Sequence, residues 1–254
     1  MAGTSARVAL VTGGGKGLGA EIARRLAESG ARVAVVGRDE AALARVAAEI
    51  AGLAVTADVT DAASVGRALA RVREELGPIS ILVQNAGIAL SSPLATTTDA
   101  DWERVMSVNV TAIFRIARAV IPEMAKSGWG RVVHVASNAG LTGYAYTSAY
   151  CASKHALVGL TRALAAEVAR RGVTVNAVCP GFLETEMTER TIETIVTKTG
   201  RSQEEARAAL EQLSPQKRLF DVREVAHVVA MLCGDDARGV NGQAIPIDGG
   251  QVMT

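Results

Sequence analysis

The chain has 254 residues, of which 49% are hydrophobic and 21% are charged, and its 27 lysines and arginines nearly balance 26 aspartates and glutamates. This composition is typical of a soluble globular protein and excludes long disordered segments. A net charge of +1 offers no basic surface for nucleic acid or for an anionic membrane, so we expect neither as a partner.

The start of the chain and its cysteines indicate a cytoplasmic protein. The first seven residues lead directly into an apolar, strand-like segment without the charged and hydrophobic regions of a signal peptide, and no apolar stretch approaches the length of a membrane span. Cys151, Cys179 and Cys233 are widely spaced and match no zinc or redox motif. We therefore expect reduced thiols and no metal site.

Short β-branched runs alternate with longer helical patterns along the chain. In the first half, the pattern predicts a strand at 7–11, a helix at 18–29, a strand at 32–36, a helix at 40–50, a strand at 54–57, a helix at 62–76 and a strand at 79–84. In the second half, it predicts one long helix or two in succession at 101–127, a strand at 131–136, a helix at 148–171 and a strand at 173–178. A polar, helix-prone segment at 182–219, broken by Gly200 and Pro215, precedes a helix at 222–232 and a strand at 244–247.

The predicted strands indicate the fold class. Several of them are continuous apolar runs, as expected when helices cover both faces of a sheet. Strand–helix alternation at this spacing predicts an α/β fold, a Rossmann-like doubly wound parallel sheet of seven strands. No linker or repeat divides the sequence, so we expect a single domain over 1–254.

A glycine-rich segment follows the first predicted strand and runs directly into a helix. Its sequence is Thr12-Gly13-Gly14-Gly15-Lys16-Gly17-Leu18-Gly19. Glycines at such a junction let the backbone turn tightly and approach a pyrophosphate at the helix N-terminus. A glycine cluster alone is also compatible with a flexible turn, but its position at the first strand–helix junction favours dinucleotide binding.

The end of the second predicted strand bears on the choice between NAD and NADP. The strand is followed by Arg38 and Asp39. The planar guanidinium of Arg38 suits the 2′-phosphate of NADP, and Lys16 in the glycine loop adds a second positive charge. In the alternative interpretation, Asp39 binds the ribose of NAD and Arg38 is a solvated charge. We expect NADP(H), with NAD(H) as the alternative.

Tyr150 and Lys154 are spaced so that both side chains share one helix face. A free tyrosine loses its proton near pH 10, and a neighbouring ammonium is expected to lower the pKa of the phenol. Alone, this spacing is also compatible with two unrelated surface residues. However, Ser137 follows the strand at 131–136 directly, at the carboxyl end where open α/β sheets bind ligands. Asn85-Ala86-Gly87 and Pro180-Gly181 follow two further strands, so we expect one site at this edge.

These motifs together resemble the short-chain dehydrogenase/reductase family over essentially the whole chain. The resemblance rests on the glycine loop, Asp58-Val59, Asn85-Ala86-Gly87, Asn109, Ser137, Tyr150-x-x-x-Lys154, Pro180-Gly181 with Thr185, and Asp248-Gly249-Gly250. One departure is Gln84, which stands where many members of the family have a second asparagine.

The resemblance implies a role for each matching residue. Tyr150 is the general acid in ketone reduction, and Lys154 lowers the pKa of the phenol and holds the nicotinamide ribose. Ser137 positions the carbonyl oxygen, and Asn109 supports a water that relays protons to Lys154. The other residues implied to bind cofactor are Thr12, Gly13, Gly15, Lys16, Gly17, Leu18, Gly19, Arg38, Asp58, Val59, Asn85, Ala86, Gly87, Pro180, Gly181 and Thr185.

The segment at 186–219 is where this family usually builds its substrate lid. Its sequence resembles 3-hydroxybutyrate dehydrogenases and polyketide ketoreductases, while the rest of the chain resembles 3-oxoacyl-(acyl carrier protein) reductases. We therefore expect reduction of a 3-oxoacyl thioester carried by acyl carrier protein or coenzyme A. The basic residues that could meet the phosphates of such carriers, or simply face solvent, are Lys198, Arg201, Arg207, Lys217 and Arg218.

Two other functions remain open at this point. The chain could be a dehydrogenase of a small free, cyclic or sugar alcohol, or a cofactor-binding protein without turnover. The set of Asn109, Ser137, Tyr150 and Lys154 argues against the second, because a pure binder has no need of the phenol. The family is usually tetrameric, so the resemblance implies a homotetramer with 101–127 and 148–171 as candidate interface helices.

Overall fold

The fold is known from a computed structural model, which describes residues 7–253. Within these residues seven strands occur: β1 (Val8–Thr12), β2 (Arg32–Gly37), β3 (Leu53–Thr56), β4 (Ile79–Gln84), β5 (Gly130–Val135), β6 (Val173–Pro180) and β7 (Ala244–Ile247). They form one sheet in the order β3-β2-β1-β4-β5-β6-β7, and every neighbouring pair is parallel. The predicted Rossmann-like α/β fold is confirmed.

Helices connect the strands and cover both faces of the sheet. They are α1 (Gly17–Glu28), α2 (Glu40–Glu49), α3 (Ala62–Leu76), α4 (Asp99–Met106), α5 (Ala112–Ser127), α6 (Ser148–Val168), α7 (Glu186–Thr199), α8 (Gln203–Glu211) and α9 (Val222–Cys233). One buried apolar cluster lies between the sheet and α1, α2 and α9, and a second lies between the sheet and α3, α5 and α6. Strands covered on both faces explain the continuous apolar runs of the sequence.

The strand order reverses direction between β1 and β4. β1 pairs with β2 on one side and with β4 on the other. In open α/β sheets, a crevice opens at such a point beyond the carboxyl ends of the strands. This edge therefore positions the glycine loop after β1 beside the segments that follow β4, β5 and β6.

The predicted helix at 101–127 is one helical run with an irregular centre. A π-helical turn, Ser107–Thr111, joins α4 to α5. By length and composition this run, Asp99–Ser127, is the one helix within residues 7–253 that could cross a membrane, which corrects the expectation that no stretch approaches that length. Two of its apolar side chains, Ile116 and Val120, lie in the core against the sheet.

The polar segment after β6 folds into two helices. α7 ends at Gly200, which adopts a left-handed conformation with φ +72°, and Ser202 and Glu205 form a capping box that begins α8. Ile192, Ala206 and Leu210 form a small buried cluster of their own. The two helices thus pack on each other, beside the carboxyl end of β6.

Candidate active site

The glycine loop is fastened to the ends of two neighbouring strands. The Gly13 N–H donates to the Val36 carbonyl oxygen at 2.7 Å. The Thr12 hydroxyl oxygen accepts from the N–H groups of Asn85 and Ala86 at 3.0 and 3.1 Å. In return, the Asn85 side-chain amide donates to the carbonyl oxygens of Thr12 and Gly13. The predicted residues of these two segments are therefore in direct contact.

The first turn of α1 is open to an anionic ligand. Its N-cap residue, Lys16, makes no side-chain capping bond, and no acidic residue lies in the first turn. The first N–H groups of a helix lack intrahelical partners and attract phosphate. Leu18 is buried, so it can contribute only its backbone N–H. A Cβ on Gly17 would lie 3.6 Å from the methyl group of Thr185, so these two predicted residues face each other. This loop fits the pyrophosphate of a dinucleotide.

Charged side chains follow β2 and β3 at the carboxyl edge of the sheet. The Lys16 ammonium lies 2.9 Å from an Asp39 carboxylate oxygen, and Asp39 also accepts the N–H of Ala42 as N-cap of α2. These bonds hold the pKa of Asp39 below its usual value. Arg38 is exposed beside them.

Asp58 is also held at this end of the edge. It accepts two hydrogen bonds from Thr60, which lower its pKa, and the charge of Arg38 lowers it further. Arg115 on α5, which the sequence analysis did not single out, donates to the Thr60 carbonyl oxygen at 3.0 Å. Val59, between these residues, is partly buried against the core.

Ser137, Tyr150 and Lys154 lie together at the carboxyl end of β5. The Ser137 hydroxyl lowers the pKa of the Tyr150 phenol, which places these two side chains near each other. The Lys154 ammonium donates to the Val135 carbonyl oxygen at 2.9 Å and lies 5.6 Å from the centre of the Tyr150 ring. A Cβ on Gly87 would come within 3.6 Å of the same ammonium. The structure therefore gathers the predicted residues after β4 and β5 around Lys154.

In this structure the pKa of Tyr150 is set mainly by burial, and the expected lowering by Lys154 stays a prediction. Burial raises the pKa of Tyr150 above its ordinary value, and the Ser137 hydroxyl offsets part of this rise. Burial also lowers the pKa of Lys154 from 10.5 to about 8. The ammonium is bonded to a carbonyl oxygen rather than to the phenol. Tyr150 is consequently a protonated group at neutral pH, as a proton donor must be.

Asn109 lies in the π-helical turn and is fully buried. Its side-chain oxygen accepts the Ile88 N–H at 2.9 Å, and its amide donates to the Ile88 carbonyl oxygen and to the Ser153 hydroxyl at 2.9 and 3.0 Å. Ser153, which the sequence analysis missed, donates in turn to the Tyr150 carbonyl oxygen at 2.7 Å. Asn109 thus ties the segment after β4 to the first turn of α6.

Pro180 and Gly181 end β6 opposite β7. The Gly181 N–H donates to the Ile247 carbonyl oxygen at 3.0 Å, and a Cβ on Gly181 would lie 3.0 Å from that of Asp248. The Asp248 turn is thereby brought to the site edge. The sequence analysis did not assign Asn138, Tyr144 and Gln251 to the site. Side-chain hydrogen bonds join Asn138 to Asp248 and to Gln251, and join Gln251 to Tyr144.

Two of the basic residues proposed to contact carrier phosphates are already paired. Arg207 on α8 contacts the carboxylates of Glu184, Glu189 and Glu211 at 3.0 to 3.4 Å. Arg218 makes two hydrogen bonds to Glu224, at 2.6 and 2.8 Å, and lies over the Phe220 ring. Both side chains remain partly exposed, so contact with carrier phosphates stays a prediction. Arg207 also ties α7 and α8 to the segment that follows β6.

His134 lies under the site with a structural partner. Its ring is fully buried and lies 2.8 Å from the Thr161 hydroxyl. Burial lowers its pKa to about 3, so the ring is neutral. Among residues 7–253, no group of three or more histidine, cysteine, aspartate or glutamate side chains is placed to hold a metal ion.

Comparison with known proteins agrees with this geometry. Residues 7–196 match the family model described as short chain dehydrogenase. The chain is 35% identical to a D-beta-hydroxybutyrate dehydrogenase of Rhizobium meliloti, covering 96% of this chain and 98% of that one. It is 37% identical to a 3-oxoacyl-[acyl-carrier-protein] reductase of Vibrio cholerae, covering 97% and 98%.

Two solved structures resemble the chain over nearly its whole length. One is a variant of actinorhodin polyketide ketoreductase with NADPH, with a TM-score of 0.94, 39% identity, and coverage of 99% of both chains. The other is levodione reductase, with a TM-score of 0.92, 37% identity, and coverage of 97% of this chain and 98% of that one.

Proposed function

Because the chain belongs to the short-chain dehydrogenase family and is an NAD(P)-dependent oxidoreductase acting on CH–OH groups, we propose that it is an NADP(H)-dependent reductase of 3-oxoacyl thioesters. The observation that carries this proposal is the grouping of Ser137, Tyr150 and the Lys154 ammonium at the edge that also holds the glycine loop.

The proton donor in this proposal is Tyr150. Its raised pKa keeps the phenol protonated at neutral pH, and the Ser137 side chain lies near it. A ketone oxygen placed between the two hydroxyls receives a hydrogen bond from Ser137 and a proton from Tyr150. The bound nicotinamide supplies the hydride. The protein's contribution is to orient the ketone and to stabilise the charge that develops on its oxygen.

Lys154 and Asn109 support this donor. The Lys154 ammonium, charged below its pKa of about 8, stabilises the phenolate left after proton transfer and holds the nicotinamide ribose. Asn109 keeps the segment after β4 and the first turn of α6 in place through Ile88 and Ser153. A water relay through Asn109 to Lys154 stays a prediction. Pro180, Gly181 and Thr185 border the nicotinamide side.

The preference for NADP(H) rests on the charges beyond β2. Asp39, the residue that would repel a 2′-phosphate, is neutralised by Lys16, and Arg38 is exposed beside it. Arg38 then offers its guanidinium to the phosphate, and the Lys16 ammonium can add an N–H donor beyond the one it gives to Asp39. Asp58, Val59, Asn85 and Gly87 would flank the adenine and its ribose. The similar ketoreductase structure, which contains NADPH, supports the same choice.

The thioester substrate rests on the relatives. The Vibrio cholerae relative acts, by its name, on 3-oxoacyl groups of acyl carrier protein, and the Rhizobium meliloti relative acts on a 3-hydroxy acid. Both substrates carry an oxygen on carbon 3, counted with the acyl or carboxyl carbon as carbon 1. The residues of 186–219 form the substrate lid in this proposal, with α7 and α8 beside the end of β6.

A second candidate function is reduction of a small cyclic ketone, because levodione reductase is nearly as similar in structure as the polyketide ketoreductase. The same catalytic residues would serve both substrates, so the shape of the lid would decide which substrate is accepted.

We also propose a cytoplasmic homotetramer. Its support is an exposed apolar surface on the 99–127 helical run, where Trp102 and Phe114 are each 43% exposed.

A substrate panel tests the proposed function. The purified chain would be assayed with NADPH and with NADH against acetoacetyl-CoA, longer 3-oxoacyl thioesters, cyclic diketones and simple ketones. We expect oxidation of NADPH with the 3-oxoacyl thioesters at the highest kcat/KM. If all thioesters are untouched and a cyclic ketone is reduced, the second candidate is correct.

A further inference from the structure

The turn after β7 is built around the buried carboxylate of Asp248. This residue is 2% exposed, and one carboxylate oxygen accepts the N–H groups of Gly250 and Gln251, both at 3.2 Å. The other oxygen accepts the Val252 N–H at 3.0 Å. Because a carboxylate can only accept hydrogen bonds, every group that contacts it must present a donor.

Asp248 determines the direction of a chain of side-chain hydrogen bonds. The Asn138 amide nitrogen donates to Asp248 at 3.3 Å and to the side-chain oxygen of Gln251 at 3.1 Å. The Gln251 amide nitrogen then donates to the Tyr144 hydroxyl oxygen at 2.7 Å. Reversing either amide would bring two acceptors or two donors together, so the polarity is set from Asp248 outwards.

This polarity has a consequence for two hydroxyl groups near the proposed site. The Asn138 side-chain oxygen is turned toward Ser137, whose hydroxyl oxygen lies 3.5 Å away. The Tyr144 hydroxyl oxygen is an acceptor for Gln251, so its own proton points away from Gln251. Burial and the charge of Asp248 raise the pKa of Tyr144 to about 12, which keeps that proton in place. Tyr144 belongs to the loop that joins Ser137 to Tyr150.

We propose that Gln251 is a positioning residue. Anchored by Asp248, it directs the Tyr144 hydroxyl proton toward the substrate. The Tyr144 hydroxyl there binds a second oxygen of the substrate, beside the reacting ketone. This inference rests on the proposed function and identifies the part of the substrate that the site recognises. A 3-oxoacyl thioester has such an oxygen in its thioester carbonyl, and a simple ketone does not. The Tyr144 hydroxyl therefore distinguishes a 1,3-dicarbonyl compound from a ketone without a second oxygen.

The test compares Gln251→Leu, Tyr144→Phe and the double variant, on acetoacetyl-CoA and on a simple ketone such as 2-pentanone. The matched control is Gln243→Leu, since the Gln243 side-chain amide is exposed and, among residues 7–253, bonds only the Asn241 carbonyl oxygen. We expect each single variant to lose about tenfold in kcat/KM with acetoacetyl-CoA, the loss of roughly one neutral hydrogen bond. We expect no further loss in the double variant, and little change with 2-pentanone.

Equal losses with both ketones, or losses that multiply in the double variant, would overturn the proposal. A second readout does not need turnover: backbone amides at 138–147 should exchange hydrogen several-fold faster in Gln251→Leu than in Gln243→Leu. Unchanged exchange would show that Gln251 does not anchor this loop. If the unaltered chain reduces neither ketone, the proposed function fails, and the exchange result still decides whether Gln251 anchors the loop.

Discussion

Lys154 combines burial with a charge that the proposed reaction needs. Its side chain is nearly inaccessible, its ammonium is bonded to the Val135 carbonyl oxygen, and burial lowers its pKa to about 8. At neutral pH the ammonium is therefore still mostly protonated, but a rise of roughly two pH units removes the charge. The group is close enough to its titration point for activity to report on it.

The pH dependence of reduction follows from this pKa. Below about pH 8 Lys154 is charged and, in the proposed reaction, stabilises the phenolate formed at Tyr150; above that pH the lysine is neutral. We expect kcat/KM for ketone reduction to fall as pH rises through about 8. In Lys154→Arg, any remaining activity should lose this decline, because the guanidinium stays charged. The same decline in both proteins would show that another group is responsible.

Arg38 tests the cofactor preference at the scale of one side chain. Arg38→Leu removes the exposed guanidinium that is proposed to bind the 2′-phosphate, while the Lys16–Asp39 pair remains. We expect the ratio of kcat/KM for NADPH over NADH to fall about 10- to 100-fold, the worth of a charge-assisted hydrogen bond. Arg67→Leu on α3, an exposed arginine elsewhere, is the control. A ratio unchanged by Arg38→Leu would contradict the assignment.

The sequence predicted where the candidate site lies better than it predicted the electrostatics of that site. The spacing of Tyr150 and Lys154, and the place of Ser137 after a strand, were sufficient to expect the three side chains together. The direction of the pKa shift of Tyr150 was not predictable, because it depends on burial by distant segments. The pairing of Arg207 with Glu184 and Glu189 was hidden because these residues are 23 and 18 positions away in the chain.

At the scale of elements, the junction of β1 and α1 depends on glycine. A Cβ on Gly19 would lie 2.2 Å from the Gly13 carbonyl oxygen, so Gly19→Ala forces the loop open. We expect destabilisation of more than about 3 kcal/mol and loss of NADPH binding, measured by thermal unfolding and fluorescence titration. In Gly66→Ala, by contrast, the added methyl on α3 has open space and should stabilise by about 0.5–1 kcal/mol. Equal stability of the two variants would contradict this view of the loop.

The elements themselves were predictable where pattern and punctuation agree. Gly200 ends α7, and Asp248 follows β7, as the sequence indicates. The π-helical turn at Ser107–Thr111 was not predictable, since its residues carry no local signal for an extra residue per turn. Asn109 in this turn makes tertiary hydrogen bonds to Ile88 and Ser153, and local helix propensity does not describe such bonds.

At the scale of the whole molecule, the proposed tetramer is tested at its candidate interface helices. Phe114 lies exposed on α5, on one of the two helices expected at an interface. We expect sedimentation at micromolar concentration to give a tetramer, and Phe114→Glu to split it into smaller species because a charge enters an apolar contact. Leu94→Glu, at a site 80% exposed outside these helices, should leave the tetramer intact. A monomer in the unaltered chain would contradict the assembly.

Contacts across the molecule were the least accessible to sequence analysis. Asn138 and Asp248 are 110 positions apart, yet their side chains are bonded beside the candidate site. Strand order explains the contact, because β5, β6 and β7 are neighbours in the sheet. No local pattern in the chain connects Gln251 with Tyr144, so only the folded arrangement reveals that pair.

The central claim is that the Tyr150 phenol donates the proton to the ketone, and Tyr150→Phe tests it most directly. This variant keeps the ring and removes the hydroxyl. NADPH binding by fluorescence titration and single-turnover reduction would be measured on the same preparation. We expect the Kd for NADPH to change by no more than about twofold and the reduction rate to fall about a thousandfold. A rate within about tenfold of the unaltered chain, with NADPH bound normally, would contradict the account.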